Sequence, residues 1–102
     1  MSLSRTAIRA LRAETHRRSL KPVVMIGQQG LSEAVQNEIA NAVTHHELIK
    51  IRLPALEKSD KSQLIEKICR DNQADLIQAI GHIIVIFRQN TKTNRFTNLI
   101  KQ

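Results

Sequence analysis

Apolar residues recur along the chain at two periods, and the switches between the periods mark out the elements. After Ser4, the residues Ile8, Leu11 and Thr15 return to one side at i, i+3 and i+7, which predicts a helix with Ser4 as its N-cap. Leu20-Lys21-Pro22 ends that helix, because the residue before a proline avoids helical angles. Val23-Val24-Met25-Ile26 is an unbroken apolar run, which predicts a central strand covered on both faces. Gly27-Gln28-Gln29-Gly30 follows as a tight turn, and a second helix is expected from about Ser32 to His45, burying Leu31, Val35, Ile39, Ala42 and Val43. The stretch from Leu48 to Leu53 alternates, with Ile49, Ile51 and Leu53 inward and Lys50 and Arg52 outward, so it reads as a half-exposed strand. Pro54 closes it. Asp60 with Gln63 resembles a capping box and is expected to open a third helix to about Asn72, with Leu64, Ile65, Ile68 and Cys69 as its apolar stripe. Two strands over residues 74–80 and 82–87 then meet at Gly81 in a hairpin.

The order αβαβαββ predicts an α/β (α+β) fold: a single compact domain whose four-stranded mixed sheet carries packed helices. A chain of 102 residues suits one such core, placed here over residues 1–88. Residues 89–102 are expected to be a basic polar tail, either mobile or docked through Phe96, Leu99 and Ile100. The single cysteine, Cys69, allows no internal disulfide, so a reducing cytoplasm is the expected compartment. The beginning of the chain runs into a charged helix without the apolar stretch of a signal peptide, and no apolar run is long enough to span a membrane.

Charge narrows the function. The net charge is +7, and it is unevenly placed. Residues 1–22 carry Arg5, Arg9, Arg12, Arg17, Arg18 and Lys21 against Glu14 alone; residues 88–102 carry Arg88, Lys92, Arg95 and Lys101 against no acid. The stretch between is slightly acidic. A near-neutral body with basic ends is the footprint of a polyanion binder. On the first helix Arg5, Arg9, Arg12 and His16 fall within about 60° of one another, forming a basic stripe beside the apolar one.

The spacing Gly27-Gln28-Gln29-Gly30 between strand and helix carries the most chemistry. Two glycines allow positive φ and the close approach of another backbone. The helix behind them offers unpaired N–H groups and a partial positive charge, which favour an anion. A phosphate there would be neutralised by Lys21 or by the basic first helix. KH domains clamp nucleic-acid backbone with the same G-x-x-G device. The central glutamines are neutral, although each can hydrogen-bond a phosphate or a 2′-hydroxyl.

The stretch Leu20-Lys21-Pro22-Val23-Val24-Met25-Ile26-Gly27-Gln28-Gln29-Gly30-Leu31-Ser32-Glu33, with Glu38-Ile39 and His46-Glu47-Leu48-Ile49-Lys50-Ile51, resembles the CRM (chloroplast RNA splicing and ribosome maturation) domain. The closing Ile80-Gly81-His82-Ile83-Ile84-Val85-Ile86-Phe87-Arg88 is similar to the family's final hairpin, so the resemblance spans roughly residues 4–88. In length and layout the chain is similar to the stand-alone bacterial YhbY-type proteins. Ser32 stands where the family more often has Thr, and Phe87 where it more often has Tyr. The resemblance implies a KH-like fold, similar to the C-terminal domain of translation initiation factor three. It further implies association with precursors of the large ribosomal subunit. The residues expected to touch RNA are Arg5, Arg9, Arg12, Lys21, Gly27, Gln28, Gln29, Gly30, Lys50, Arg52 and Arg88.

Other readings are weaker. Base stacking needs aromatic platforms, and the chain offers only Phe87 and Phe96, with Phe87 reading as core. His45-His46-Glu47 lacks the spacing of a metal site, and its charge suits a helix C-terminus. Cys69 lies on an apolar stripe and reads as an inert thiol. No catalytic set, cofactor, metal, membrane contact or small-molecule substrate is expected. Two rival partners stay open: ribosomal proteins, with RNA contacts secondary, and duplex DNA.

Overall fold

The computed structural model describes residues 3–100. Its elements are α1 (Arg5–Arg17), β1 (Pro22–Met25), α2 (Glu33–His46), β2 (Leu48–Arg52), α3 (Lys58–Asn72), β3 (Asp75–Ile80), β4 (Ile83–Phe87) and a single turn, α4 (Thr97–Ile100). The strands form one mixed sheet in the order β1-β2-β4-β3. β1 and β2 run parallel through the α2 crossover, and the other two pairings are antiparallel. The expected order and sheet are therefore present, with α4 added from the tail.

Helices α2 and α3 cover one face of the sheet. Ile39 and Val43 from α2 and Ile68 from α3 meet Val24, Ile26, Ile49, Ile51, Leu53, Ile84 and Ile86 in the larger core. The opposite face is covered only in part. There α1 packs on β3 and α4, and Leu11 joins Leu48, Ile77, Val85, Phe87 and Phe96. The rest of that face is open, which corrects one expectation. β1 is an edge strand, not a central one: Val24 points into the core, while Val23 is 50% and Met25 68% exposed. An apolar run of four looks the same in either place. What decides is that α1 lies over the far side of the sheet.

Helix α3 also begins differently from its reading. Glu57 is the N-cap and makes no side-chain capping bond, and Asp60 lies in the first turn, where its charge suits the helix dipole. Gly81 turns the hairpin with φ +57°, and β3 carries a bulge between Leu76 and Gln78.

Residues 89–100 pack on the body. The anchor is Glu47, fully buried just past α2 with φ +63°. Its N–H donates to the Val43 carbonyl at 2.9 Å, and its own carbonyl accepts from Arg88 N at 2.9 Å. Its carboxylate accepts from Asn90 N at 3.2 Å, Arg95 N at 3.0 Å and the Thr93 hydroxyl. Held this way, the segment delivers Phe96 into the second core, edge-on to Phe87 with centroids 5.9 Å apart. Lys101, counted above in the basic tail, lies outside the described residues.

Removing the charge alone should loosen this whole segment. Glu47→Gln is expected to lower stability by about 1–3 kcal/mol in urea unfolding. Native-state hydrogen exchange should then show the Asn90 and Arg95 amides losing protection more than those of β2.

Candidate nucleic-acid interface

The Gly27–Gly30 loop is held from within. Gly30 N donates to the Gly27 carbonyl at 3.0 Å, and Ser32 N to the Gly30 carbonyl at 3.0 Å. Ser32 caps α2 by accepting from Val35 N at 3.2 Å, and the Gln36 amide donates to the Leu31 carbonyl at 3.0 Å. The Gln28 and Gln29 side chains are exposed and make no hydrogen bond among the described residues. Glu33 stands in the first turn of α2, so its carboxylate competes with any anion for that helix end.

The two glycines differ in why they are there. Gly30 has φ +79°, which side chains resist. Gly27 has no such φ, and a Cβ built on it would meet nothing within 4 Å. The fold itself therefore does not require glycine at 27.

Of the predicted cations, Arg52 is the one the sheet sets beside the loop. It pairs with Met25, and its carbonyl accepts from Ile26 N at 2.9 Å. Lys50 points the same way two residues back, opposite Pro22. Arg5, Arg9, Arg12 and His16 are all exposed along α1. Arg12 reaches the edge of β3, donating to the Ile77 carbonyl at 3.1 Å. His16 shares a hollow on the open sheet face with Lys50, Gln78 and Ile80. His16 thus brings the end of the helix stripe to Lys50, whose neighbour on the same face, Arg52, stands beside the loop.

Lys21 and Arg88, like Arg12 on the β3 edge, are not brought to the loop. Lys21 precedes β1 while the loop follows it, and six extended residues put them about 20 Å apart. Arg88 ties the far ends of α2 and α3 together, donating to the Asn72 carbonyl at 3.1 Å and to the Thr44 hydroxyl. About 16 Å of helix separates Thr44 from the loop end of α2.

Sequence reasoning missed Arg18 and Arg95. Arg18 lies over the Phe96 ring, 4.9 Å from its centroid, and pairs with the buried Glu14, as does Arg17 at 2.7 Å. Arg95 Nε donates to the His45 carbonyl at 3.1 Å. The one signal for this arrangement was an isolated Phe in a polar tail. His45 and His46 do not converge on a metal: His45 Nδ1 lies 2.8 Å from the Asn41 carbonyl, and Glu47 turns inward. Burial, and then the charge of Asp75, push the Cys69 thiol up, away from a reactive thiolate.

The CRS1 / YhbY (CRM) domain model fits residues 3–88. The chain belongs to the CRM domain family. Among similar proteins, the probable RNA-binding protein PA4753 of Pseudomonas aeruginosa is 38% identical over 74% of this chain and 73% of its own length. An RNA-binding protein of Haemophilus influenzae is 46% identical over 68% of this chain and 70% of its own. The solution structure of SAV1595 from Staphylococcus aureus aligns with a TM-score of 0.75 at 30% identity, covering 87% of this chain and 91% of that one. The CRM match ends at residue 88, so Arg95 and Phe96 lie outside the matched domain.

Arg18 first and then Arg17 hold the Glu14 carboxyl below its ordinary value of 4.5, against the opposing effect of burial. The unfolded chain therefore takes up this proton before the folded one does. The resulting stability is fully present above about pH 5 and is lost as pH falls through 4.5 toward the lower folded value. Acid unfolding should show this loss in the wild type, and Glu14→Gln should flatten the curve over that window.

Proposed function

We propose that the chain binds structured RNA through its sugar-phosphate backbone, as a binding protein rather than a catalyst. We take the RNA to be a precursor of the large ribosomal subunit, and the role to be holding or shielding a junction during assembly in the cytoplasm. The observation that carries the reading is Gly27. A glycine the fold does not need stands over open space beside exposed backbone and Arg52. That is what the close approach of another backbone asks for. The basic track of Arg5, Arg9, Arg12, Lys50 and Arg52 would neutralise phosphates on either side, making affinity strongly salt-dependent. Relatives named as RNA-binding proteins support the same reading. The ribosomal step comes from the family resemblance alone.

A ribosomal-protein partner is favoured by one feature, the outward Val23, Met25 and Ile80 on the open sheet face. The charge around that face makes RNA the better occupant.

The test is a salt-dependent titration of large-subunit precursor RNA fragments, with matched-length duplex DNA as competitor. Gly27→Asp is the informative variant, because it adds charge where the fold has room; its unfolding midpoint should match wild type. We expect wild-type affinity to fall steeply with salt, the variant to bind at least ~10-fold more weakly, and DNA to compete poorly. Equal binding by both proteins would make the turn purely structural. No binding by either would bring the protein partner forward.

A further inference from the structure

The loop marks one end of β1, and the other end of that strand opens into a cleft of about 310 Å³. Arg18, Lys21, His46, Lys50 and Arg95 line it over a floor of Leu20, Val23, Leu48, Ile49 and Phe96, and no acidic side chain does so among the described residues. Four of these residues are formally cationic, drawn from the end of α1, the approach to β1, β2 and the C-terminal segment. We propose that this cleft is a second phosphate-binding site, taking a phosphodiester of the same RNA at a place distinct from the G-x-x-G loop. The proposal rests on the RNA-binding reading and extends it.

Three features favour a phosphate here over a merely solvated basic patch. First, the two guanidiniums are pre-set. Arg18 is fixed by Glu14 and by the Phe96 ring, and Arg95 by its backbone bond to Glu47 and its Nε bond to the His45 carbonyl. A guanidinium anchored through one nitrogen keeps its other donors in a fixed fork, which suits phosphate oxygens and lowers the ordering cost of binding. Secondly, the Arg95 bond covers a carbonyl at the C-terminal end of α2, a group that would otherwise repel an anion. Thirdly, Lys21, Lys50 and His46 have no hydrogen-bond or ion-pair partner among the described residues, so the cleft holds uncompensated charge.

The identity of the polymer follows from continuity. Lys50 lines both this cleft and the hollow that holds His16, so the cleft extends the basic track. Lys21 lies about 20 Å from Gly27 along the strand and Val23 about 13 Å, so a single phosphate group cannot occupy both places. A chain of phosphates reaches both. The cleft volume is at the lower end of the range for organic ligand sites, which admits a phosphate with its sugar. Arg95 and Phe96 lie beyond the residues matched by the family domain, so the C-terminal segment builds part of this site.

The experiment compares four full-length proteins against the same precursor RNA over a range of salt: wild type, Gly27→Asp, Lys21→Ala with Arg95→Ala, and Lys58→Ala with Lys67→Ala. The last removes two cations from α3, away from the cleft, and controls for net charge. We expect the cleft pair to bind ~10-fold more weakly than that control and its salt slope to be shallower by about 1–2. Lys21→Ala alone, which touches no internal bond, should show part of the same change even if loss of the Arg95 bond loosens the tail. If wild type binds and Gly27→Asp is weakened, but the cleft pair behaves like the control, the second site is wrong and the loop reading stands. If wild type does not bind, the RNA reading fails and this one with it. Inorganic phosphate that shifts the His46 resonances while the cleft pair leaves the RNA slope unchanged would assign the cleft to a free anion and overturn the proposal.

Discussion

The fold turns on one buried carboxylate. Glu47 lies between α2 and β2 with a left-handed backbone, a conformation that costs a residue with a side chain energy unless its surroundings hold it there. What holds it are three donors from residues 90–95, together with its own backbone bonds to Val43 and Arg88. Among the described residues no cation pairs with it, so the compensation for burying it is hydrogen bonding, and that requires the C-terminal segment to be in place. Once the segment is in place, Phe96 closes the second core against Phe87 and gives Arg18 a ring to lie on. The end of α1, the tail and the approach to β1 are thereby ordered around a single polar contact.

That arrangement explains why the sheet is unevenly covered. Two long helices fill the α2/α3 face, whereas the other has only α1 and a single turn of α4. A 13-residue helix is about 20 Å long, enough to shield β3 and β4 but not β1 and the outer part of β2 as well. The uncovered strip is where Val23, Met25, Lys50 and Arg52 point outward. A fully covered sheet would bury more apolar area. This one keeps an open face whose basic residues lead to the loop.

Much of this was legible in the chain. Period and punctuation placed seven of the eight elements, and the G-x-x-G turn stood out because glycines between an apolar run and a helical pattern have few other uses. The residues that misled did so for definite reasons. Val23 to Ile26 shows only that a strand is apolar; its neighbours on the sheet decide whether its second face is covered, and those neighbours are remote in sequence. Asp60 and Gln63 have the spacing of a capping box, but the chain after Pro54 enters the helix a turn early at Glu57. Lys21 was grouped with the loop because it is near in sequence, although strand geometry alone puts it at the opposite end of β1. Arg18 and Arg95 line one cleft because Phe96 docks, and no local pattern announces that Arg18 meets a ring 78 residues away in sequence.

The acids account for the rest of the electrostatic pattern. Glu14 and Glu47 flank the cleft and are both turned inward, whereas Glu33 stays exposed at the loop end of α2. Glu47 is occupied by backbone amides and a hydroxyl, leaving Lys92 and Arg95 without an ion pair among the described residues. Glu14 does neutralise arginines, but it also fixes them, so that Arg18 stands as an ordered donor rather than a mobile one. Elsewhere the ion pairs are ordinary: on α3, Lys67 with Asp71 and Arg70 with Glu66 are exposed helical neighbours that contribute little. The +7 of the chain is therefore not spread evenly over a basic ball. Charges pair along α3, while on the face with the cleft Glu14 and Glu47 are folded inside and the cations left outside. A negatively charged polymer would meet that face first.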